Sequence, residues 1–216
     1  MAIKGLSRPV IGDYIKGEGI AVTYSNPEVA DKAVEYSVSW TTTEDNPLFA
    51  DNDIAENDSG TFQNGELTLN TSDLSQELSK RVLGLKTVET TYGEDKTATE
   101  LIYDGDAKSP YLGFGIIEMH QVDGEDMYRA VFLPRIKFNL PEEAATTKGE
   151  TIEWQTKSIT AKILRSEVMD ENYKKPWMID AWFESEFEAL EYLRFKCGAT
   201  EVLQTNSVIQ EDETDA

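Results

Sequence analysis

The sequence has little of what most chemical sites are built from. It holds one cysteine, Cys197, and one histidine, His120, in 216 residues. A single cysteine excludes an internal disulfide, and one residue of each type excludes a cysteine–histidine zinc cluster. No pattern of triad partners accompanies His120. We therefore expect a half-buried structural histidine and a cysteine that serves as a small apolar filler.

Long apolar runs are also lacking. No stretch approaches the roughly eighteen apolar residues of a membrane span, and the first residues, MAIKGLSRPVIGDY, lack the apolar core of a secretion signal. Together with the single cysteine, this predicts a protein that is made in a reducing cytoplasm and does not span a membrane.

Basic residues are scarce relative to acidic ones. Forty-one Asp and Glu face twenty Lys and Arg, which gives a formal net charge of −21. Phosphate binding requires clustered Lys and Arg, so most of the surface should repel nucleic acid. High net charge commonly serves solubility alone, and from charge alone we prefer that explanation. The alternative is a negative wall that does not retain DNA passing along it.

The scarcity is most pronounced between Ala33 and Ser79, where there are ten Asp or Glu and no Lys or Arg. Alternating strand patterns enter this region at 34–40 and leave it at 66–71, and residues 41–65 between them are predicted to form one long projecting loop. Loops of this length in compact domains are functional or disordered. Apolar residues within it favour docking onto another molecule. The candidate contacts are Leu48, Phe49, Asp51, Asn52, Ile54 and Phe62.

The N-terminal residues 1–18 carry several glycines and Pro9, which predicts an extended arm instead of a packed element. A capping box starting at Asp73 and ending at Gln76 predicts a short helix that stops at Gly84, with an apolar stripe of Leu74, Leu78 and Val82. A second capping box, 185–188, predicts another helix that ends at Gly198. Residues 204–216 are predicted to form an acidic tail.

The best hairpin signal is the pair of segments 111–122 and 127–140 around the turn 123–126. Pro134 indicates a bulge or an edge position, and the alternation places Phe132, Ile136 and Phe138 on one face. A turn is predicted at 91–98, and further strands are predicted at 99–103, 150–164, 177–183 and 201–203. Strand–helix repeats are absent from the pattern, so we expect a single mainly-β domain over 1–216. It would be a sandwich or open barrel with one or two flanking helices.

Motifs that resemble ligand sites fail on inspection. Gly17-Glu18-Gly19 lacks the third glycine of a dinucleotide loop, and the segment 51–56 lacks the ligands and the glycine of a calcium loop. Gly113 and Gly115 are better explained by close packing of a ring or backbone. The sequence thus predicts no catalytic residue, metal or cofactor, and we expect a protein that is not an enzyme.

Several segments in order carry a family resemblance: KGLSRPVIGDY, VTYSNPEVADKAVEYSVSW, NPLFADNDIAENDSG, GELTLNTSDLS and VLGLK. They resemble the major tail proteins of long-tailed, non-contractile bacteriophages that infect Gram-positive bacteria. The likeness is most specific over residues 4–86. The second half of the chain shares only a general character with that family.

The resemblance implies a tail-tube subunit. Six such subunits form a ring whose sheets join into one barrel, and rings stack into a hollow tube that conducts the DNA genome into the host. By position, residues 41–65 would be the loop between subunits and 1–18 an arm. The implied partners are further copies of itself, a tape measure protein, a tail terminator and a distal tail protein. The implied location is the virion, after assembly in the bacterial cytoplasm.

Three alternatives stay open. One is a carbohydrate-binding or surface β-sandwich module, for which Trp177, Trp182 and Phe183 would be the aromatic platform. Another is a hydrolase that uses two carboxylates, although no pair stands out among so many. The third is the tube protein of a phage-derived injection or gene-transfer particle, which obeys the same subunit physics.

Overall fold

Strands make up most of the chain. The computed structural model describes residues 2–18, 21–30, 32–93, 96–142, 156–170 and 172–201. The twelve strands are β1 (Ala2–Lys16), β2 (Val22–Val29), β3 (Ala33–Thr42), β4 (Asn46–Ala50), β5 (Asp53–Asp58), β6 (Phe62–Thr71), β7 (Lys86–Tyr92), β8 (Lys96–Ile102), β9 (Leu112–Val122), β10 (Glu125–Phe138), β11 (Lys157–Ile163) and β12 (Ile179–Phe183). The two helices are α1 (Gln76–Leu83) and α2 (Glu186–Lys196). The predicted mainly-β fold with flanking helices is confirmed.

One eight-stranded antiparallel sheet organises the molecule. Its strand order is β2-β1-β9-β10-β11-β6-β3, and β12 pairs with the first half of β10. The sheet curves so that β3, at one end of the order, comes back close to β1. The concave side therefore encloses a core, while the convex side is free to receive a helix.

The hairpin of β9 and β10 lies at the centre of this sheet. Both residues of its turn, Asp123 and Gly124, have positive φ angles of 51° and 95°, and Val122 pairs with Glu125 across it. That is the two-residue turn whose twist matches a hairpin. The predicted hairpin is confirmed, with a turn two residues shorter than expected.

Pro134 marks a bulge, as predicted. The pairing of β10 with β9 shifts between Leu133 and Ile136, because proline cannot donate a ladder hydrogen bond. The extra residue reverses the side of the sheet that the alternation faces. Phe132 packs on the convex side, whereas Ile136 and Phe138 pack in the concave core. The prediction that these three residues share one face is therefore wrong.

The concave core is filled from five strands and α1. Its buried members include Phe114 of β9, Leu133 of β10 and Ile163 of β11. Helix α1 adds Leu78 and Val82 of the predicted apolar stripe. The third member, Leu74, precedes the helix and is partly buried against the same core. Each buried side chain of this size contributes about 1.5–3 kcal/mol relative to exposure.

Helix α2 covers the convex side of β1, β9 and β10. Two glycines permit its close approach: a Cβ at Gly12 would lie 2.6 Å from the carbonyl oxygen of Cys197, and one at Gly115 would lie 2.7 Å from a methyl carbon of Leu193. The ring of Tyr24 likewise occupies the space beside Gly113. The predicted close packing at Gly113 and Gly115 is confirmed.

Cys197 is fully buried as expected, and burial raises the pKa of its thiol to about 12.

The prediction of an unpacked N-terminal arm is wrong for residues 2–16. They form β1, which pairs with β2 on one side and β9 on the other, and Val10 and Ile11 are buried. Of the glycines that suggested an arm, Gly12 instead leaves room for the backbone of Cys197. The first helix also starts differently: Ser75, not Asp73, is its N-cap and accepts from the Leu78 amide. Ser185 caps α2 as predicted.

Some expectations concern residues outside the described part. They include the acidic tail 204–216, residues 150–155 of the predicted strand 150–164, and residues 202–203 of the last predicted strand. Within the described residues, 157–163 form a strand as expected. The segment predicted at 177–183 forms one only from Ile179 onward.

Candidate assembly surface

The region predicted to be a long loop is a small β-hairpin. Between β3 and β6, strands β4 and β5 form a separate two-stranded sheet and, among the described residues, pair only with each other. We call residues 43–61 the acidic hairpin. Its residues are exposed to solvent except Gly60, near its base, which is partly buried. The prediction of one long loop at 41–65 is therefore corrected in two respects. Residues 46–58 form two paired strands, and the two ends of the range belong to β3 and β6.

The tip of the acidic hairpin is a tight turn at Asp51-Asn52. Both residues have positive φ angles, 52° and 65°, and Ala50 pairs with Asp53 across them. Asp and Asn tolerate this backbone better than other non-glycine residues. Asp53 also accepts a hydrogen bond from the Ile54 amide at 2.8 Å. The two tip residues thus define the turn, and this gives them a structural role beyond any contact.

The hairpin combines exposed apolar side chains with acidic charge. Leu48, Phe49 and Ile54 are each more than half exposed, with Phe49 at 64%, and Phe49 and Ile54 are paired across the two strands. The acidic hairpin also carries six Asp or Glu and no Lys or Arg. Large apolar side chains that stay exposed together on a projecting element are typical of an interaction site.

An aromatic cluster anchors the base of the hairpin. The ring of Phe62 stacks on Trp177, with centroids 4.4 Å apart and planes 4° from parallel. The ring centroid of Trp40, near the end of β3, lies 5.4 Å from that of Trp177. The Arg165 guanidinium donates to the Phe62 carbonyl and lies 5.9 Å from the Phe62 ring. These contacts fix the base of the acidic hairpin against the main sheet. Beyond the base, β4 and β5 form no pairing with the main sheet in the described chain.

The structure brings together five of the six candidate contacts. Leu48, Phe49 and Ile54 are exposed on the hairpin, and Asp51 and Asn52 form its tip. Phe62 lies instead at the base, half-buried against Trp177. Trp177 is 115 residues away from Phe62 in sequence. Their contact follows from the tertiary structure and has no local sequence signal.

The sequence patterns did not predict a second two-stranded hairpin, formed by β7 and β8. Within the described part of the chain, strands β7 and β8 pair only with each other, whereas the sequence predicted a turn at 91–98 and a strand only at 99–103. Val88 and Tyr92 are exposed on it. The segment KTVETTY does contain the β-branched and aromatic residues that favour strands, so its composition was the signal available.

A buried polar network joins the two halves of the curved sheet. The Glu118 carboxylate on β9 accepts from the Tyr36 hydroxyl on β3 and from Arg129 Nη1 at 3.2 Å. His120 Nε2 lies 2.9 Å from the same carboxylate. Arg129 Nε also donates to Asp180 at 2.8 Å. Strands β3, β9, β10 and β12 are thereby connected through charge-assisted hydrogen bonds.

The pKa directions follow from this arrangement. Burial by itself raises the pKa of Glu118, but hydrogen bonds from Tyr36 and His120 and the charge of Arg129 outweigh it, so the pKa lies below its usual value. Burial, with the hydrogen bond to Glu118, raises the pKa of the Tyr36 hydroxyl. Glu118 is therefore an anion at neutral pH. His120 is buried, not half-buried as expected, since its ring is also covered by Trp182.

The predicted aromatic platform is divided between three places. Trp177 belongs to the base of the acidic hairpin, Phe183 contacts Tyr192 of α2, and Trp182 lies against His120.

In the described part of the chain no group of three or more His, Cys, Asp or Glu is placed to hold a metal ion. Nor do the described helices include one long and apolar enough to cross a membrane.

The chain matches no protein-family model, and no curated protein matches it either.

Proposed function

We propose that this protein is a self-assembling structural subunit of a hollow tube, of the kind formed by the major tail proteins of long-tailed, non-contractile bacteriophages. The observation that carries the proposal is the acidic hairpin, which exposes Leu48, Phe49 and Ile54 on an element outside the main sheet. The sequence resemblance over residues 4–86 adds the family. Subunits of a phage-derived injection particle would obey the same physics.

The energetics of the hairpin favour an external partner. An isolated two-stranded hairpin is marginally stable in water, and β4 and β5 pair with no third strand in the described chain. Burial of each of its exposed apolar side chains against a neighbour would contribute about 1.5–3 kcal/mol. Part of that gain offsets the entropy of ordering the side chains on docking.

The main sheet offers a second route to association. Its outermost strands, β2 and β3, each pair with a single neighbour in the described chain. Unpaired strand edges favour addition of another strand. If edges of successive copies joined around an axis, the rotation would close into a ring. Such a ring of six subunits, stacked through the hairpins, would give the tube that the resemblance implies.

The net charge fits the conduction of DNA. A formal charge of −21 repels phosphate groups, so a lumen made from these subunits would not retain a passing genome. In this proposal the subunit performs no chemistry. Its partners are other copies, a tape measure protein, and the terminator and distal proteins at the tube ends, and its location is the virion.

Electron microscopy of the purified protein at rising concentration, with light scattering alongside, tests the proposal. Rings or hollow tubes are expected for the wild type. The triple variant Leu48→Ser, Phe49→Ser, Ile54→Ser should stay folded and should not form stacks. Val88→Ser with Tyr92→Ser on the β7–β8 hairpin is the matched control, because it removes similarly exposed apolar groups elsewhere.

Two outcomes would contradict the proposal. Stacks that form equally well from the triple variant would remove the hairpin from the assembly contact. A protein that stays monomeric throughout and binds polysaccharide would support the carbohydrate-binding alternative, in which Trp182 is the most exposed member of the predicted platform.

A further inference from the structure

A cavity lies beside the β9–β10 turn, at the opposite end of the sheet from the acidic hairpin. It has a volume of about 420 Å³ and is lined by Val122, Asp123, Glu125, Met127 and Trp182. We call it the Trp182 pocket. Strand register places it far from the hairpin: β9 runs from Leu112, which pairs with Asp13 near the hairpin end, to Val122 beside the pocket.

The Trp182 ring packs against the buried ring of His120 on one side. Its centroid lies 4.8 Å from that of His120, and His120 is itself buried and fixed by Glu118. The ring stays 40% exposed toward the pocket. Among aromatic side chains, tryptophan attracts cations most strongly through its π-face, and this ring is fixed on one side and open on the other.

The charges around the ring are also suited to a cation. Asp123 and Glu125 line the pocket, and neither forms an ion pair with the described residues. The neighbouring Asp126 is already paired with Lys4 at 2.6 Å. The pocket therefore offers two free carboxylates and an aromatic face, which together fit an ammonium or guanidinium group.

The other end of the molecule carries exposed lysines. Lys174 and Lys175 lie in the segment that follows β11, and both are exposed. Neither pairs with a carboxylate in the part of the chain that the structure describes. Glu167 ties this segment to Lys16, the last residue of β1, at 2.5 Å and to Arg135 at 3.2 Å. Because β1 ends where β9 begins, the lysines belong to the hairpin end of the sheet.

We propose that the Trp182 pocket of one copy binds the Lys174–Lys175 pair of a second copy. This inference rests on the proposed function, since it names a contact between stacked subunits. The two surfaces have opposite charge and lie at opposite ends of one sheet. A contact between unlike surfaces does not close on itself in a pair, and because these two surfaces lie at opposite ends of the sheet, it would extend into a stack wherever the rotation between copies does not close into a ring. It also orients successive subunits head to tail.

Charge reversal tests the pairing. Lys174→Glu with Lys175→Glu, and separately Asp123→Lys with Glu125→Lys, should each raise the protein concentration needed for assembly by about tenfold or more. The four substitutions together should restore assembly, because the charges are exchanged and the net charge is unchanged. Lys96→Glu with Lys108→Glu is the matched control. Effects no larger than the control, or no recovery in the combined variant, would overturn the inference.

Carbodiimide cross-linking tests the contact without requiring a complete tube. A mixture of isotope-labelled and unlabelled protein distinguishes bonds between copies from bonds within one copy. Lys174 or Lys175 is expected to link to Asp123 or Glu125 of a different copy, and Trp182→Leu should lower the yield severalfold. Absence of these links at the highest soluble concentration would refute the pocket assignment.

The two proposals fail separately. Tubes that form normally from the charge-reversed variants would leave the tube function standing and eliminate this contact. Cross-links at the pocket in a protein that forms chains but never rings or tubes would retain the contact and contradict the tube function.

Discussion

The β9–β10 hairpin and the acidic hairpin both turn through two residues, but their strands differ in how much they are buried. Each turns through two residues with positive φ, Asp123-Gly124 in one and Asp51-Asn52 in the other. Away from its turn, the first is buried between the concave core and α2, whereas the second is exposed along both strands. Turn chemistry therefore decides that a hairpin forms, and the apolar content of its two faces decides whether it becomes core.

Matched phenylalanine truncations should separate the two hairpins most clearly. Phe132→Ala removes a fully buried ring and should lower the free energy of unfolding by about 3–5 kcal/mol. Phe49→Ala removes a ring that is largely in solvent and should change it by less than about 0.5 kcal/mol. Urea unfolding of the unassembled protein measures both. A large loss of stability in the Phe49 variant would mean that the acidic hairpin packs on the subunit itself.

Removing the charge of Glu118 should have an intermediate effect that depends on pH. Glu118→Gln weakens the bonds to Tyr36 and Arg129, at a cost of about 1–3 kcal/mol at pH 7. The folded pKa of Glu118 is lowered, so its contribution is complete above the unfolded value of about 4.3. It is lost as the pH falls through the folded pKa.

The difference in stability between wild type and Glu118→Gln should therefore shrink in acid. Denaturant unfolding between neutral pH and about pH 3 measures it. Glu66→Gln, on the exposed side of β6, is the control, and its difference should be small at every pH. A constant difference for the Glu118 variant would argue that its carboxylate is not preferentially charged in the folded state.

The turns should give the smallest effects. Gly124→Ala introduces a Cβ at a φ of 95°, which only glycine adopts readily, and should cost about 1 kcal/mol of global stability. Asn52→Gly relieves a mild strain in the acidic hairpin and should leave global unfolding unchanged. Thermal unfolding monitors both variants. Equal effects would show that the two hairpins unfold as one unit.

Local sequence patterns predicted the elements whose neighbours in space are also neighbours in sequence. The β9–β10 hairpin, the apolar stripe of α1 and the Ser185 cap of α2 are examples. Strand β1 was mistaken for an arm because its glycines and Pro9 resemble a linker, while its pairing partner, β9, is about a hundred residues away. The acidic hairpin was identified by its charge and exposed apolar residues, although its internal pairing was not foreseen.

The sequence by itself determined that the protein is mainly β, strongly acidic and equipped with a projecting segment, predicted at 41–65, because composition and alternation are properties of the chain alone. Only the tertiary structure decided where side chains distant in sequence meet. It moved Phe62 from a free contact to a stack on Trp177, reversed the face of Ile136 at the Pro134 bulge, and connected Tyr36 to Glu118 across the core. These contacts depend on sheet order and curvature, which no local pattern specifies.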